Sequence, residues 1–502
     1  MHRLTTLLFL LVWGMGYLMG QEEAHMTPSS AKTFTSTQTV KIEGRSYELD
    51  TEAGTLVLRD ENDHPIADFG FTYYKGKISG DQPRPIMFAF NGGPLSASFW
   101  LHMGILGPKR IAINDPDLTP GPPYQIVNNE YALLDIADLV MIDPVGVGLS
   151  HPIGKAKWED FWGVDQDVRA IGLFIKQFLI KEGRLNAPKF LLGESYGTFR
   201  NGYLMDHLQS KGISMNGVIM VSAVFDLQHL LFPYGDDLSY LVHFPTYAAT
   251  HWYHQDDTGG RKKPLESYLK EVRDFTINEY APAMIKGDAL SMEDKKELAR
   301  KLSVHSGLEE DFWLQANFRV TAGEFFQEYM RDEGKIVGRL DSRFTGNTLD
   351  LLSQTADHDP QSAAISPPYI SAFLDYFYND LGVDKKLSYT TSAGGRKGFK
   401  WDWRHQGNIS WNAQATISTA PDMARCLNRN PNMKVLILNG YYDIATPFFG
   451  VEYTLDHMDL RPEIKENVIM KYYEAGHMMY THKASMEKFR KDVSEFMLDM
   501  LK

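Results

Sequence analysis

The pentapeptide Gly193-Glu194-Ser195-Tyr196-Gly197, arriving directly behind the apolar run Phe190-Leu191-Leu192, constrains this chain more than any other stretch. Such a run reads as a strand buried on both faces, and the residues after Gly197 carry helical spacing. A G-x-S-x-G sequence between strand and helix turns the backbone sharply and lifts the serine hydroxyl above the sheet edge. Ser195 is therefore a candidate nucleophile. The pattern alone is permissive, so the chain must also supply a base, an acid and donors for a developing negative charge.

The flanking segments supply them in order. Residues 39–74 alternate apolar and polar side chains around the turns Glu43-Gly44-Arg45 and Glu61-Asn62-Asp63, which predicts antiparallel hairpins at a sheet edge. Ile86-Met87-Phe88-Ala89-Phe90 reads as a buried strand and delivers Asn91-Gly92-Gly93-Pro94 to its end. Glycines there let backbone N–H groups approach a substrate, with the N–H of Tyr196 as the complementary donor; a plain tight turn is the alternative. Further buried strands are predicted at 138–144 and 217–222, with an amphipathic helix at 158–181 and a further helix continuing over 203–208 between them, and this alternation implies a mostly parallel sheet with right-handed crossovers.

The sheet resumes at Met433-Lys434-Val435-Leu436-Ile437-Leu438, after which Asp443 is placed to orient a histidine, and a last strand at 467–473 leads to Glu474-Ala475-Gly476-His477. His477 is the candidate general base. Ser, Asp and His in that order, each just past a predicted parallel strand, is the order of the α/β-hydrolase fold. Residues 39–224 and 407–502 are read as two parts of that core. Between them, residues 225–406 lose strand-like runs and become helical (263–280, 291–305, 308–332). They are read as a cap insertion that shapes a substrate pocket, or as an independent domain.

Composition narrows the partners. A net charge of −13 with no long basic run argues against nucleic acid. Residues 1–20, with Arg3 before an apolar stretch, read as a signal peptide followed by a flexible leader at 21–38, so the chain is expected to be exported with no integral membrane span after cleavage; an uncleaved anchor is the alternative. The single cysteine, Cys426, excludes an intrachain disulfide and reads as a small buried hydrophobe. No H-E-x-x-H or paired-cysteine spacing calls for a metal, and no cofactor is implied. His251 and His254 could share an ion, though an aromatic-rich surface segment explains them as well.

Taken together, Asn91-Gly92-Gly93-Pro94, Asp143-Pro144-Val145-Gly146-Val147-Gly148-Leu149-Ser150, Gly193-Glu194-Ser195-Tyr196-Gly197, Asp443 and Gly476-His477-Met478 resemble the serine carboxypeptidases. The resemblance implies a peptide substrate, an oxyanion hole from Gly93 and Tyr196, and a grip on the substrate's terminal carboxylate by Asn91 and Glu194. A carboxyl can hold a carboxylate only when one of the two is protonated, so Glu194 is expected to be neutral and buried. The sequence departs from the family at Ile105, where a second acidic residue is usual, and at Leu95 and Ser96, where glycine and cysteine are usual. His102 or Arg200 is accordingly a candidate for offering positive charge to the substrate in compensation. The expected function is a serine-type carboxypeptidase; an esterase or acyltransferase with the same triad, or a non-catalytic binding protein on the same fold, are the alternatives. Oligomeric state is not legible.

Overall fold

The structure is a computed structural model that describes residues 27–77, 83–255, 262–405 and 417–502. Its centre is one twisted sheet of nine principal strands: β1 (Thr33–Ile42), β2 (Arg45–Arg59), β3 (Pro65–Gly76), β4 (Ile86–Phe90), β5 (Asp138–Asp143), β6 (Lys189–Glu194), β7 (Gly217–Val221), β8 (Lys434–Gly440) and β9 (Val468–Tyr473). Their spatial order is β1-β2-β3-β5-β4-β6-β7-β8-β9. From β5 onward every neighbouring pair is parallel, whereas β1, β2 and β3 join as antiparallel hairpins on one side. All residues of β4, β5, β6 and β7 are buried, which is why their sequences are continuous apolar runs rather than alternating ones. The sequence therefore predicts the α/β-hydrolase sheet correctly, with its antiparallel N-terminal strands.

The predicted helix at 158–181 begins later, at Val164, after a short 3-10 turn. The helix after Ser195 runs from Tyr196 to Ser210 and packs beside β6. The leader is shorter than expected. Its first residues and the proposed signal peptide lie outside the described residues, but Thr33–Ile42 is already strand, and Ser29 and Ser30 both bond the buried Asp68 carboxylate.

Two further readings need correction. The stretch 308–332 is not one helix: Asn317 and Phe318 both adopt positive φ, and Thr321 then starts a new helix with a reciprocal capping box to Glu324. The insertion also keeps a short β-ribbon, Lys335–Val337 paired with Thr345–Asn347, and the loop between these strands becomes important below. The first part of the insertion has its own core around Phe244, Tyr247, Trp313 and Phe325. The helix Pro360–Asp375 instead buries Tyr369 and Phe373 in the core of the main sheet, and the segment after it threads back to the N-G-G-P loop. Cys426 is buried as expected. Among the described residues no helix is long and apolar enough to cross a membrane.

Candidate active site

Ser195 occupies the turn between β6 and its helix with φ 60° and ψ −129°, a strained conformation for a residue with a Cβ. The turn is pinned on both sides: Ser195 N–H donates to Val221 O (3.0 Å) and the Thr198 hydroxyl donates to Ser195 O (2.7 Å). The loop after β4 lies against it. Gly93 has φ +112°, and a Cβ there would stand 2.6 Å from Ser96 N, so only glycine holds this loop in place. Among the described residues the N–H groups of Gly93 and Tyr196 enter no intramolecular hydrogen bond, leaving both free for an incoming oxygen.

Asp443 and His477 meet across the ends of β8 and β9. His477 Nδ1 lies 2.7 Å from Asp443 Oδ2, and both residues are buried. Asp443 sits at the head of an Asx-type turn: its Oδ1 accepts from Ala445 N–H and Thr446 N–H (both 2.9 Å), and its Oδ2 also accepts from the Thr446 hydroxyl (2.6 Å). Burial opposes the imidazolium of His477, but the Asp443 carboxylate outweighs it, and the histidine's pKa is raised above its ordinary 6.5. A loop of the insertion carries the base. His477 N–H donates to Leu340 O (2.6 Å), Gly476 N–H to Asp341 Oδ2 (2.9 Å), and a Cβ on Gly476 would stand 2.4 Å from Leu340 O.

Ser195 and His477 line one cavity of about 430 Å³ together with Gly93 and Tyr196, although no direct hydrogen bond joins the two side chains. Such a bond commonly tightens only when substrate is bound. Val224, Leu227, Leu230, Ile417 and Trp403 make most of the remaining wall apolar. The sequence reading missed Thr446, Trp403 and the Leu340 loop; only Thr446 carries a local signal, its place three residues after Asp443.

The expected carboxylate grip is arranged differently from the prediction. Asn91 and Glu194 do meet, at 3.0 Å, but Asn91 Oδ1 is used on Leu101 N–H and neither residue is in the cavity wall. Burial pushes the Glu194 carboxyl up to about 7, with the nearness of His477, Tyr480 and Asn91 acting the other way. Glu194 Oε2 and the Tyr480 hydroxyl are both buried and neither completes a hydrogen bond. Ile105 is wholly buried apolar core, and the Tyr480 ring packs so closely over Gly104 that a Cβ there would stand 2.3 Å away. Glu194 thus has a phenol, not a second acid, for company.

Arg200 and His102 both lie outside the cavity wall. Arg200 is buried under the N-G-G-P loop, with Nε on Asp167 (2.6 Å), Nη1 on Asn91 O (2.9 Å) and Nη2 on Pro94 O (3.0 Å). Its role is to hold that loop. His102 is buried with Nε2 2.6 Å from the Tyr74 hydroxyl, and burial depresses its pKa to about 3, so it stays neutral. Leu95 is buried and absent from the cavity wall, its Cδ1 3.1 Å from where a Gly146 Cβ would be, and Ser96 bonds the Trp100 indole. His251 and His254 belong to the helix Leu238–His254 and bond Tyr329 and Ser342 O, and the described residues contain no cluster able to hold a metal.

The crystal structure of Kex1(delta)p, a prohormone-processing carboxypeptidase from Saccharomyces cerevisiae, is similar with TM-score 0.51 and 16% identity, over 90% of this chain and 92% of that one. The proline iminopeptidase of Mycobacterium smegmatis aligns over 93% of this chain and 98% of its own at 12% identity and TM-score 0.35. A search of curated proteins finds no match. The profile of the serine carboxypeptidase family matches residues 69–490, which takes in every parallel strand of the sheet and everything between them, and the chain belongs to that family.

Proposed function

We propose that this chain is a serine-type carboxypeptidase that releases C-terminal residues from peptides through an acyl-enzyme on Ser195. The reading rests on one observation, the 2.7 Å pairing of His477 with Asp443 at a cavity that Ser195 also lines. In this mechanism His477 Nε2 takes the Ser195 proton while Asp443 steadies the imidazolium, and Oγ adds to the last peptide carbonyl. The N–H groups of Gly93 and Tyr196 receive the oxyanion, each contributing on the order of 3 kcal/mol to the barrier reduction. His477 then passes its proton to the departing nitrogen, the C–N bond breaks, and the terminal amino acid leaves. A water deprotonated by His477 attacks the ester, the C–Oγ bond breaks, and the shortened peptide is freed with Ser195 restored.

Export belongs to the same proposal, carried by the N-terminal sequence pattern of residues 1–20. Mass spectrometry of a peptide mixture after incubation tests the activity: residues should leave one at a time from the carboxyl end, and a fluorophosphonate label should appear on the wild type and vanish in Ser195→Ala. Labelling without trimming, combined with turnover of acyl esters, would replace this reading with an esterase. Absence of both would leave a binding protein on the same fold.

A further inference from the structure

The four residues expected to meet the substrate's terminal carboxylate are absent from the cavity wall: Asn91 and Glu194 sit behind it, Arg200 is consumed by Asp167 and two carbonyls, and His102 is neutral. The wall does contain one permanent cation among the described residues. Arg339 lines the cavity beside Leu340 and His477, is exposed, and its guanidinium enters no ion pair or hydrogen bond among those residues. Its neighbours are fully engaged, Arg343 bridging Asp341 and Asp115 at 2.7 and 2.9 Å.

The backbone beneath Arg339 is fixed as firmly as the triad itself. Arg339 N–H and Leu340 N–H donate to Asp359 Oδ2 (2.6 and 3.0 Å), Arg339 O accepts from Ile444 N–H (3.1 Å) next to Asp443, and Leu340 O accepts from His477 N–H. A residue with an anchored root and an uncommitted guanidinium, opening on the nucleophile, is built to meet something negative. Its charge already reaches the site, since it lowers the pKa of His477 against the pull of Asp443 and Glu194. In a chain of net charge −13, an anionic substrate also needs a local positive field to enter. A guanidinium answers a carboxylate with two parallel N–H···O bonds, which fixes orientation as well as position.

We infer that Arg339 binds the α-carboxylate of the residue leaving from the substrate's C-terminus, in the place of a protonated carboxyl pair. The identity of the anion rests on the carboxypeptidase reading; the presence of an anion subsite does not. With the side chain of the departing residue against Leu227, Leu230 and Trp403, the guanidinium then sets how far the chain end enters and so which carbonyl faces Ser195.

The test compares a peptide ending in a free carboxylate with the same peptide amidated, in wild type, Arg339→Gln and Arg339→Lys. The quantity read is the ratio of kcat/KM for acid over amide, which is independent of the fraction of each variant that is folded. Arg339→Gln should lower that ratio roughly tenfold or more, mainly through KM for the acid, and Arg339→Lys should restore part of it. An unchanged ratio would overturn the inference. If the wild type cleaves neither peptide, the carboxypeptidase reading has failed on its own, and N-acetylleucine and N-acetylleucinamide are compared as inhibitors of acyl-ester turnover. A wild-type preference for the acid that Arg339→Gln abolishes keeps the anion subsite; equal inhibition by both compounds in wild type and variant removes it.

Discussion

The sheet edge and the insertion contribute to the site in opposite ways. Ser195, Asp443 and His477 stand just beyond three parallel strands whose ladders run in continuous register, so their positions follow from the most regular part of the molecule. The walls come from irregular chain: the Leu340 loop between two three-residue strands, the turn at Leu227–Leu230 and the segment around Trp403. Chemistry is placed by regular hydrogen bonding and selectivity by loops, so the two should fail differently when altered. Substitution at the strand ends should abolish turnover of every substrate, whereas substitution in the insertion should redistribute turnover among substrates.

The largest effect tests the first half of that contrast. Ser195→Ala or His477→Ala should each lower kcat on the order of a millionfold on any acyl substrate, and Asp443→Asn on the order of ten-thousandfold, measured by steady-state kinetics. Each variant's loss should be the same on peptides as on esters. A loss confined to peptides would mean that esters are handled elsewhere.

Arg200→Ala comes next, because it strands Asp167 with an unpaired buried charge. It should destabilise the fold by about 3–5 kcal/mol in denaturant titration and displace the oxyanion loop, since Asn91 O and Pro94 O lose their donors. Loss of activity without loss of stability would show that Arg200 acts on substrate after all. Trp403→Ala is smaller and opposite in kind: preference between large and small terminal side chains should change roughly tenfold while phosphonylation of Ser195 by a fluorophosphonate proceeds.

The smallest expected effect is on pH dependence. His477 works as a base only when neutral, so kcat/KM should rise with pH through a value above 6.5, its pKa being raised. Glu194 contributes to that elevation, and Glu194→Gln removes a negative neighbour, which lowers the histidine's pKa and moves the rising limb to lower pH. An unmoved limb would mean that Glu194 is protonated throughout and acts by hydrogen bonding alone.

The same contrast explains what could be read from the sequence. Ser195, Asp443 and His477 each follow an apolar run, and such runs are local signals, so the strand and the turn that present each side chain are legible together. The resemblance places Asn91 and Glu194 in one subsite and implies a buried Glu194, but not the phenol of Tyr480 beside them, which comes from the far end of the chain. Arg339 carries no signal at all. It lies in Gly338-Arg339-Leu340-Asp341-Ser342-Arg343, a stretch without periodicity, and is brought to His477 only by the bonds its loop makes to residues distant in sequence. Arg200 misled for the converse reason: one helical turn beyond Ser195 is near the nucleophile in sequence, yet that face of the helix points at Asp167.

The clasp between the Leu340 loop and His477 also bears on biosynthesis. A growing polypeptide exposes its nucleophile long before the base has been translated, and the base has no fixed seat until the segment holding it and the loop supporting it are both complete. On the proposed mechanism, the pairing of Asp443 with His477 on which attack depends cannot form until the final strand has been laid down.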